Sequence, residues 1–131
     1  MTKEIFRELP WRSAVTWIAC LAVAGFLALG LRALLAPIGA AGSFGVPPPA
    51  GDGLAYVQAF GARNIGLALA GLALIVLDQR RSLAVLFLAG ALIAGLDFSI
   101  VATHAGATQA LKHLAYVAGL LGFGLWLMLR R

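Results

Sequence analysis

The chain has 131 residues, of which 62% are hydrophobic and only 11% are charged. Soluble domains carry about 25% charged residues, so this composition and a mean hydropathy of +0.96 exclude an ordinary soluble domain and indicate a small membrane protein. The net charge of +5 does not predict a nucleic-acid partner, because the ten basic residues are spread along the chain and mostly flank apolar runs. Cys20 is the single cysteine, so no disulfide can form within the chain.

The first predicted span, about residues 14–35, follows a short polar head that ends at Arg12. Its uninterrupted apolar part, residues 14–31, would form roughly 27 Å of helix at about 1.5 Å per residue, enough to cross most of a bilayer core. We do not expect a cleaved signal peptide, since the apolar run exceeds the roughly 7–15 residues of a signal h-region and the head is not purely basic.

The connection after this span, residues 37–53, is rich in glycine and proline. Such a stretch cannot cross lipid as a helix. Its apolar residues Ile38, Phe44 and Val46 predict that it folds over the mouth of the bundle. Both a lid and a tightly packed structural loop are compatible with this pattern.

Three more apolar runs complete the chain, and we predict spans at about residues 54–77, 82–102 and 111–129. The short polar turn 78–81 forces an antiparallel hairpin, and residues 104–109 form the last connection. The sequence therefore predicts an all-α integral membrane protein: one domain, residues 1–131, folded as an antiparallel bundle of four transmembrane helices.

Small residues at four-residue spacing predict close packing between these helices. On the second span they are Ala62, Gly66 and Ala70, and on the third span Gly90 and Ala94.

Basic residues divide unequally between the two ends of such a bundle. Seven fall at one end: Lys3, Arg7, Arg12, Arg80, Arg81, Arg130 and Arg131. The other three, Arg32, Arg63 and Lys112, fall toward the opposite end. The positive-inside rule then predicts an inner (plasma) membrane protein with both termini in the cytoplasm.

Ionisable side chains interrupt three different spans at one depth. Arg63, Asp97 and His113 lie roughly 22, 24 and 25 Å from the cytoplasmic interface at about 1.5 Å per residue. A charge near the bilayer centre costs about 2.5–3.5 kcal/mol on insertion scales. Because Asp97 is the only acid within a span, we expect it to pair with Arg63.

Further polar side chains lie near this depth. They are Asn64 beside Arg63, His104 on the face of Asp97, Tyr116 on the face of His113, and Arg32 at the outer end of the first span. Basic residues outnumber acids here, so one hypothesis is a pocket that binds a lipophilic molecule with an anionic or carbonyl head. Arg63, Asn64, Arg32, Tyr116 and His104 would be its ligand-binding residues.

In an enzymatic version of this hypothesis, Asp97 or His113 is the acid or base of an isomerisation or cyclisation, and Arg63 stabilises an oxyanion. The alternative is a non-enzymatic structural or partner subunit whose polar cluster is a clasp between helices. Transport is disfavoured because four spans contain no paired broken helices, although a homo-oligomer could supply a pore.

No cofactor and no metal are predicted. Asp97, His104 and His113 could offer three ligands, but they lack the close spacing of helical metal sites, and the nearby positive charges oppose a cation. The bilayer is the one partner that the composition requires.

The order of these features resembles a family of small four-helix bacterial and fungal membrane proteins known as a domain of unknown function. The matching elements are Pro37, Phe44-Gly45-Val46-Pro47, Gly61-Ala62-Arg63-Asn64-Ile65, Asp97 and His113, within about residues 25–120. The family usually has an acid directly after the arginine, where this chain has Asn64. The resemblance implies a four-span fold and a polar cluster, and it implies no activity.

Overall fold

The computed structural model describes residues 13–129. The head and the C-terminal arginines lie outside this range. The orientation prediction depends on five residues there: Lys3, Arg7, Arg12, Arg130 and Arg131.

Five helices make up the described chain: α1 (Ala14–Leu35), α2 (Pro37–Phe44), α3 (Gly53–Val76), α4 (Arg80–Ala105) and α5 (Ala107–Leu129). Four of them, all but α2, are long and apolar enough to cross a membrane. The prediction of an all-α membrane protein with four spans is therefore confirmed, and the chain is a multi-pass membrane protein.

Local chemistry explains where the helices begin and end. Ser13 caps α1, since its side chain accepts a hydrogen bond from the backbone N–H of Thr16. Pro37 ends α1 because it has no N–H to donate and its ring clashes with the preceding turn, yet it suits the first position of α2. Gly45 ends α2 with φ of 111°, a left-handed conformation that glycine adopts without steric cost.

Two connections differ from the predictions. Residues 37–53 were expected to be irregular, but their first half forms α2, because proline at a helix start is favourable and the small residues after it tolerate a helix. Residues 104–109 were expected to be a loop, but the helices continue through them except at Gly106, where φ is 92°. Continued helix keeps backbone groups hydrogen-bonded where water is scarce.

The helices pack as two pairs, α1 with α3 and α4 with α5. Glycine allows the close approach in the first pair: a Cβ on Gly61 would lie 2.7 Å from the carbonyl oxygen of Gly30. In the second pair, a Cβ on Gly124 would lie 2.9 Å from the Leu88 side chain. These contacts are closer than any larger residue permits.

The main apolar core lies toward the end of the bundle that carries the α3–α4 connection, which we call the turn end. Its largest fully buried members come from three helices: Ile75 of α3, Leu83 and Phe87 of α4, and Leu127 of α5. Ala19 and Val23 bring α1 into the same cluster.

The predicted small-residue packing is correct for α4 and wrong for α3. Gly90 and Ala94 are buried, whereas Ala62, Gly66 and Ala70 are exposed. The reason is that α3 packs through a neighbouring stripe, which comprises Gly61, Asn64, Ala68, Gly71 and Ile75. Spacing of three and four residues keeps that stripe on one face.

Candidate functional site

The polar residues lie at the opposite end of the bundle, where α2 packs, which we call the α2 end. Three of them occupy inward-facing positions on three helices. Asn64 belongs to the buried stripe of α3 and is 7% exposed, and His113 of α5 is 4% exposed. Asp97 of α4 follows buried Ala94 by three residues and precedes buried Val101 by four, and it is half-buried.

Asp97 and His113 are close enough for their charges to interact. Asp97 accepts no hydrogen bond from any residue between 13 and 129. A half-buried carboxylate without a donor is unfavourable, so His113 is the main described source of stabilisation for a charge on Asp97.

His113 and its neighbour Lys112 fasten α5 to the C-terminal end of α2. The Nε2 atom of His113 lies 3.0 Å from the carbonyl oxygen of Phe44, and the Nζ atom of Lys112 donates to the carbonyl oxygen of Ser43. A carbonyl can only accept, so Nε2 of His113 carries the proton, and Nδ1 is the basic nitrogen when the ring is neutral.

Phe44 is the centre of an aromatic cluster at the α2 end. Its ring centroid lies 5.1 Å from that of His113 and 6.1 Å from that of Phe60, both in edge-on geometry. Tyr116 extends the cluster, with its ring 6.1 Å from His113. Phe44 thus connects α3 to α5.

The expected pair between Arg63 and Asp97 does not form. Arg63 is exposed, and within the described range its guanidinium takes part in no ion pair or hydrogen bond. The reason is rotation about the helix axis: Asn64 lies on the buried stripe, and the preceding residue points about 100° away from it. A shared depth does not determine which face of its helix a side chain occupies.

The other predicted residues bond mainly to backbone. The Nδ2 atom of Asn64 donates to the carbonyl oxygen of Phe60 at 3.2 Å, one turn back on its own helix. Nδ1 of His104 likewise lies 2.9 Å from the carbonyl oxygen of Ile100, and His104 is exposed. Neither side chain is directed at a common pocket.

Arg32 and Tyr116 lie at the margin of the cluster. Nη2 of Arg32 lies 3.4 Å from the carbonyl oxygen of Gly39 in α2, and Arg32 is exposed. Tyr116 is 52% exposed. The predicted set therefore separates into an inward group (Asn64, Asp97 and His113) and an outward group (Arg32, Arg63, His104 and Tyr116).

Sequence reasoning did not identify three participants. Phe44 is the aromatic centre, Phe60 faces it from α3, and Gln58 donates from Nε2 to the carbonyl oxygen of Leu34 at 3.3 Å. The signal for Phe44 was its apolar character in a glycine- and proline-rich connection. Gln58 was visible as a polar residue in a span, but its acceptor lies in a different helix.

A small cavity lies away from these residues. It has a volume of about 20 Å³ and lies between α1, α3 and α4. All of its lining residues are apolar: Val23, Phe26, Leu67, Leu86, Phe87, Ala89, Gly90 and Ile93. A space of this size holds about one water molecule, and apolar cavities stay dry. Between residues 13 and 129, no three His, Cys, Asp or Glu residues cluster as metal ligands.

Comparison with known proteins identifies a family. No curated protein and no solved structure matches the chain. The sequence model described as Domain of unknown function (DUF4267) matches residues 23–127, which contain all the predicted site residues. The chain therefore belongs to this family.

Proposed function

We propose that the protein is a non-enzymatic membrane protein with a structural role or a role as a partner subunit. Its polar cluster is then a clasp that holds α2 across one end of the bundle. The observation that carries the proposal is the pair of bonds from α5 to α2. Lys112 and His113 direct their side-chain nitrogens at the carbonyl oxygens of Ser43 and Phe44, the last two residues of α2.

Helix ends explain why such a clasp is needed. The last carbonyls of a helix have no partner within it, and they carry partial negative charge. An eight-residue helix such as α2 is too short to be stable alone. Hydrogen bonds to a charged donor contribute about 1.5–3 kcal/mol, so Lys112 can stabilise the C-terminal end of α2 substantially.

The clasp also joins the two helix pairs. Phe44 contacts Phe60 of the α1–α3 pair and His113 of the α4–α5 pair. Edge-on aromatic pairs add about 0.5–1.5 kcal/mol each beyond the area they bury. Phe44 packs edge-on against the His113 ring, so a ligand that contacted this face of His113 would have to displace it.

The histidines provide a matched test. His113→Phe removes the bond to α2 and keeps a ring, whereas His104→Phe removes only a bond within α4. We expect His113→Phe to lower the free energy of unfolding in detergent by about 1–3 kcal/mol and to speed amide hydrogen exchange within residues 37–45. The His104→Phe control should leave exchange in α2 unchanged. If the two variants give equal exchange in α2, the clasp is wrong.

A second candidate function is the binding of a lipophilic molecule with an anionic or carbonyl head. In its enzymatic version, Asp97 or His113 is the proton donor or acceptor. The observation in its favour is the Asp97 carboxylate, which is half-buried beside His113 without a described hydrogen-bond donor. Such a ligand would have to displace Phe44. Native mass spectrometry of the gently purified protein tests this, since the candidate requires a bound molecule that Asp97→Asn releases.

The same proposal includes the orientation, with both termini in the cytoplasm and the α2 end outside the plasma membrane. It rests on the sequence alone, which assigns seven basic residues to one side of the membrane and three, Arg32, Arg63 and Lys112, to the other. A reporter fused at Gly51 should then be extracytoplasmic and one at Gln79 cytoplasmic. The reverse result would invert the orientation.

A further inference from the structure

Arg63 belongs to the predicted cluster but takes no part in the clasp. It lies ten residues after the start of α3 at Gly53, which is roughly 15 Å along the helix at about 1.5 Å per residue. It is exposed, and α3 is long and apolar enough to span a membrane. Its guanidinium therefore faces the lipid, within the hydrocarbon region or at its edge.

An arginine in this position needs an anion or several acceptors, because the charge is unfavourable in hydrocarbon. Within the described chain, nothing forms a hydrogen bond or ion pair with Arg63. The acids that the structure describes, between residues 13 and 129, would be poorly placed to reach it from a second copy. Asp52 precedes α3 at its outer end, Asp78 lies in the turn, and Asp97 faces the interior of its own bundle.

An exposed tyrosine lies on the same face of α3 as Arg63, nearer to the start of the helix. Tyr56 lies seven residues earlier, on the same face, and is 81% exposed. Tyrosine favours the headgroup level, and seven residues correspond to roughly 10 Å of helix. The Arg63 side chain leans toward the helix N-terminus, so its guanidinium extends toward the level of Tyr56.

Space around the guanidinium is open on one side. On that side of Arg63, Ala59 and Gly66 are small and exposed, and a Cβ added at Gly66 would meet nothing within 4 Å. The larger Phe60, three residues earlier and 37% exposed, lies on the other side. A headgroup can approach the guanidinium without steric conflict. The planar fork of arginine matches two oxygens of a phosphate, which makes it the side chain suited to this anion.

We propose that Arg63 binds the phosphate of an anionic phospholipid at the lipid-facing surface of α3, with Tyr56 at the headgroup level above it. This site is separate from the clasp, which lies between α2 and α5. It also differs from a pocket inside the bundle, because Arg63 points away from the buried stripe that contains Asn64.

The test uses the full chain in bilayer discs of equimolar phosphatidylglycerol and phosphatidylcholine, with the lipids that remain bound after extraction counted by native mass spectrometry. We expect the wild type to retain phosphatidylglycerol preferentially and Arg63→Gln to reduce that preference about tenfold, as loss of a charged hydrogen bond implies. Arg63→Lys should retain part of it. Arg81→Gln, which removes an exposed cation at the start of α4, is the control and should retain all of it.

Equal preference in wild type and Arg63→Gln would overturn the proposal, as would equal losses in Arg63→Gln and Arg81→Gln, which would indicate a general charge effect. Should Arg63→Gln fail to insert, a photoactivatable phosphatidylglycerol can be crosslinked to the wild-type protein. Crosslinks should then map to α3 between Tyr56 and Gly66, and their absence there would also overturn it. If the protein shows no lipid preference and instead binds an acidic membrane protein through Arg63, the lipid proposal is wrong and the partner is a protein.

Discussion

At the turn end, the helices meet directly through apolar side chains, whereas at the α2 end a short extra helix lies between them and is held by polar and aromatic groups. Phe87 represents the first arrangement: it is 1% exposed, and its ring lies 5.0 Å from that of Phe123. Phe44 represents the second, since it is only half-buried and contacts His113 and Phe60. The comparison teaches that hydrophobic burial stabilises the packing at the turn end. The packing at the α2 end depends instead on hydrogen bonds to the carbonyl oxygens of α2.

Removing each phenylalanine should separate these two kinds of stabilisation. Phe87→Ala leaves a cavity in the core and should lower the free energy of unfolding by about 3–5 kcal/mol. Phe44→Ala removes two edge-on contacts of a half-buried ring and should cost less, about 1–3 kcal/mol. Chemical or thermal unfolding in detergent measures both. Equal losses would contradict a difference between the ends.

The predicted part of the fold came from signals that run along the chain. Apolar runs of sufficient length determined four spans, and the structure has four helices there. Local backbone chemistry was harder to read: Gly106 alone interrupts α4 and α5, and α2 starts at Pro37 inside a stretch that looked irregular. In both places the residues permit helix and coil, and tertiary packing decides between them.

The sequence analysis grouped the candidate site residues by their depth along the helices, but it did not predict the helix face on which each of them lies. Counting residues placed Arg63, Asp97 and His113 at one level, and of these Asp97 and His113 face inward in the structure. Counting gives no information about which face each residue occupies, and the small-residue stripe that we predicted on α3, Ala62, Gly66 and Ala70, is not the one that packs. The structure uses the stripe of Gly61 and Asn64, so Arg63 turns outward. The acceptors in α2 were not predictable, because backbone carbonyls carry no residue-specific signal.

Replacing a glycine by alanine in each stripe, at Gly61 and at Gly66, compares the two faces of α3. Gly61→Ala puts a Cβ 2.7 Å from the carbonyl oxygen of Gly30, backbone that cannot easily shift, and should destabilise the protein by about 1–3 kcal/mol. Gly66→Ala meets nothing within 4 Å and should stabilise it by up to about 1 kcal/mol through helix propensity. Melting temperatures of the two variants in the same detergent measure the difference. The same sign for both would mean that α3 does not pack through the Gly61 stripe.

The smallest expected effect concerns Arg63 and Asp97, which share a depth but not a face. If the two side chains do not meet, Arg63→Gln and Asp97→Asn should have additive effects on the free energy of unfolding, within about 0.3–0.5 kcal/mol. Asp97 and His113 both face the interior and are near enough for a Coulombic effect, so we expect the cycle of Asp97→Asn with His113→Phe to show a coupling of about 0.5–3 kcal/mol. The second cycle is the positive control for the first, because both contain Asp97. A coupling between Arg63 and Asp97 as large as that between Asp97 and His113 would mean that Arg63 turns inward in the membrane, and its lipid-facing site would then be wrong as well.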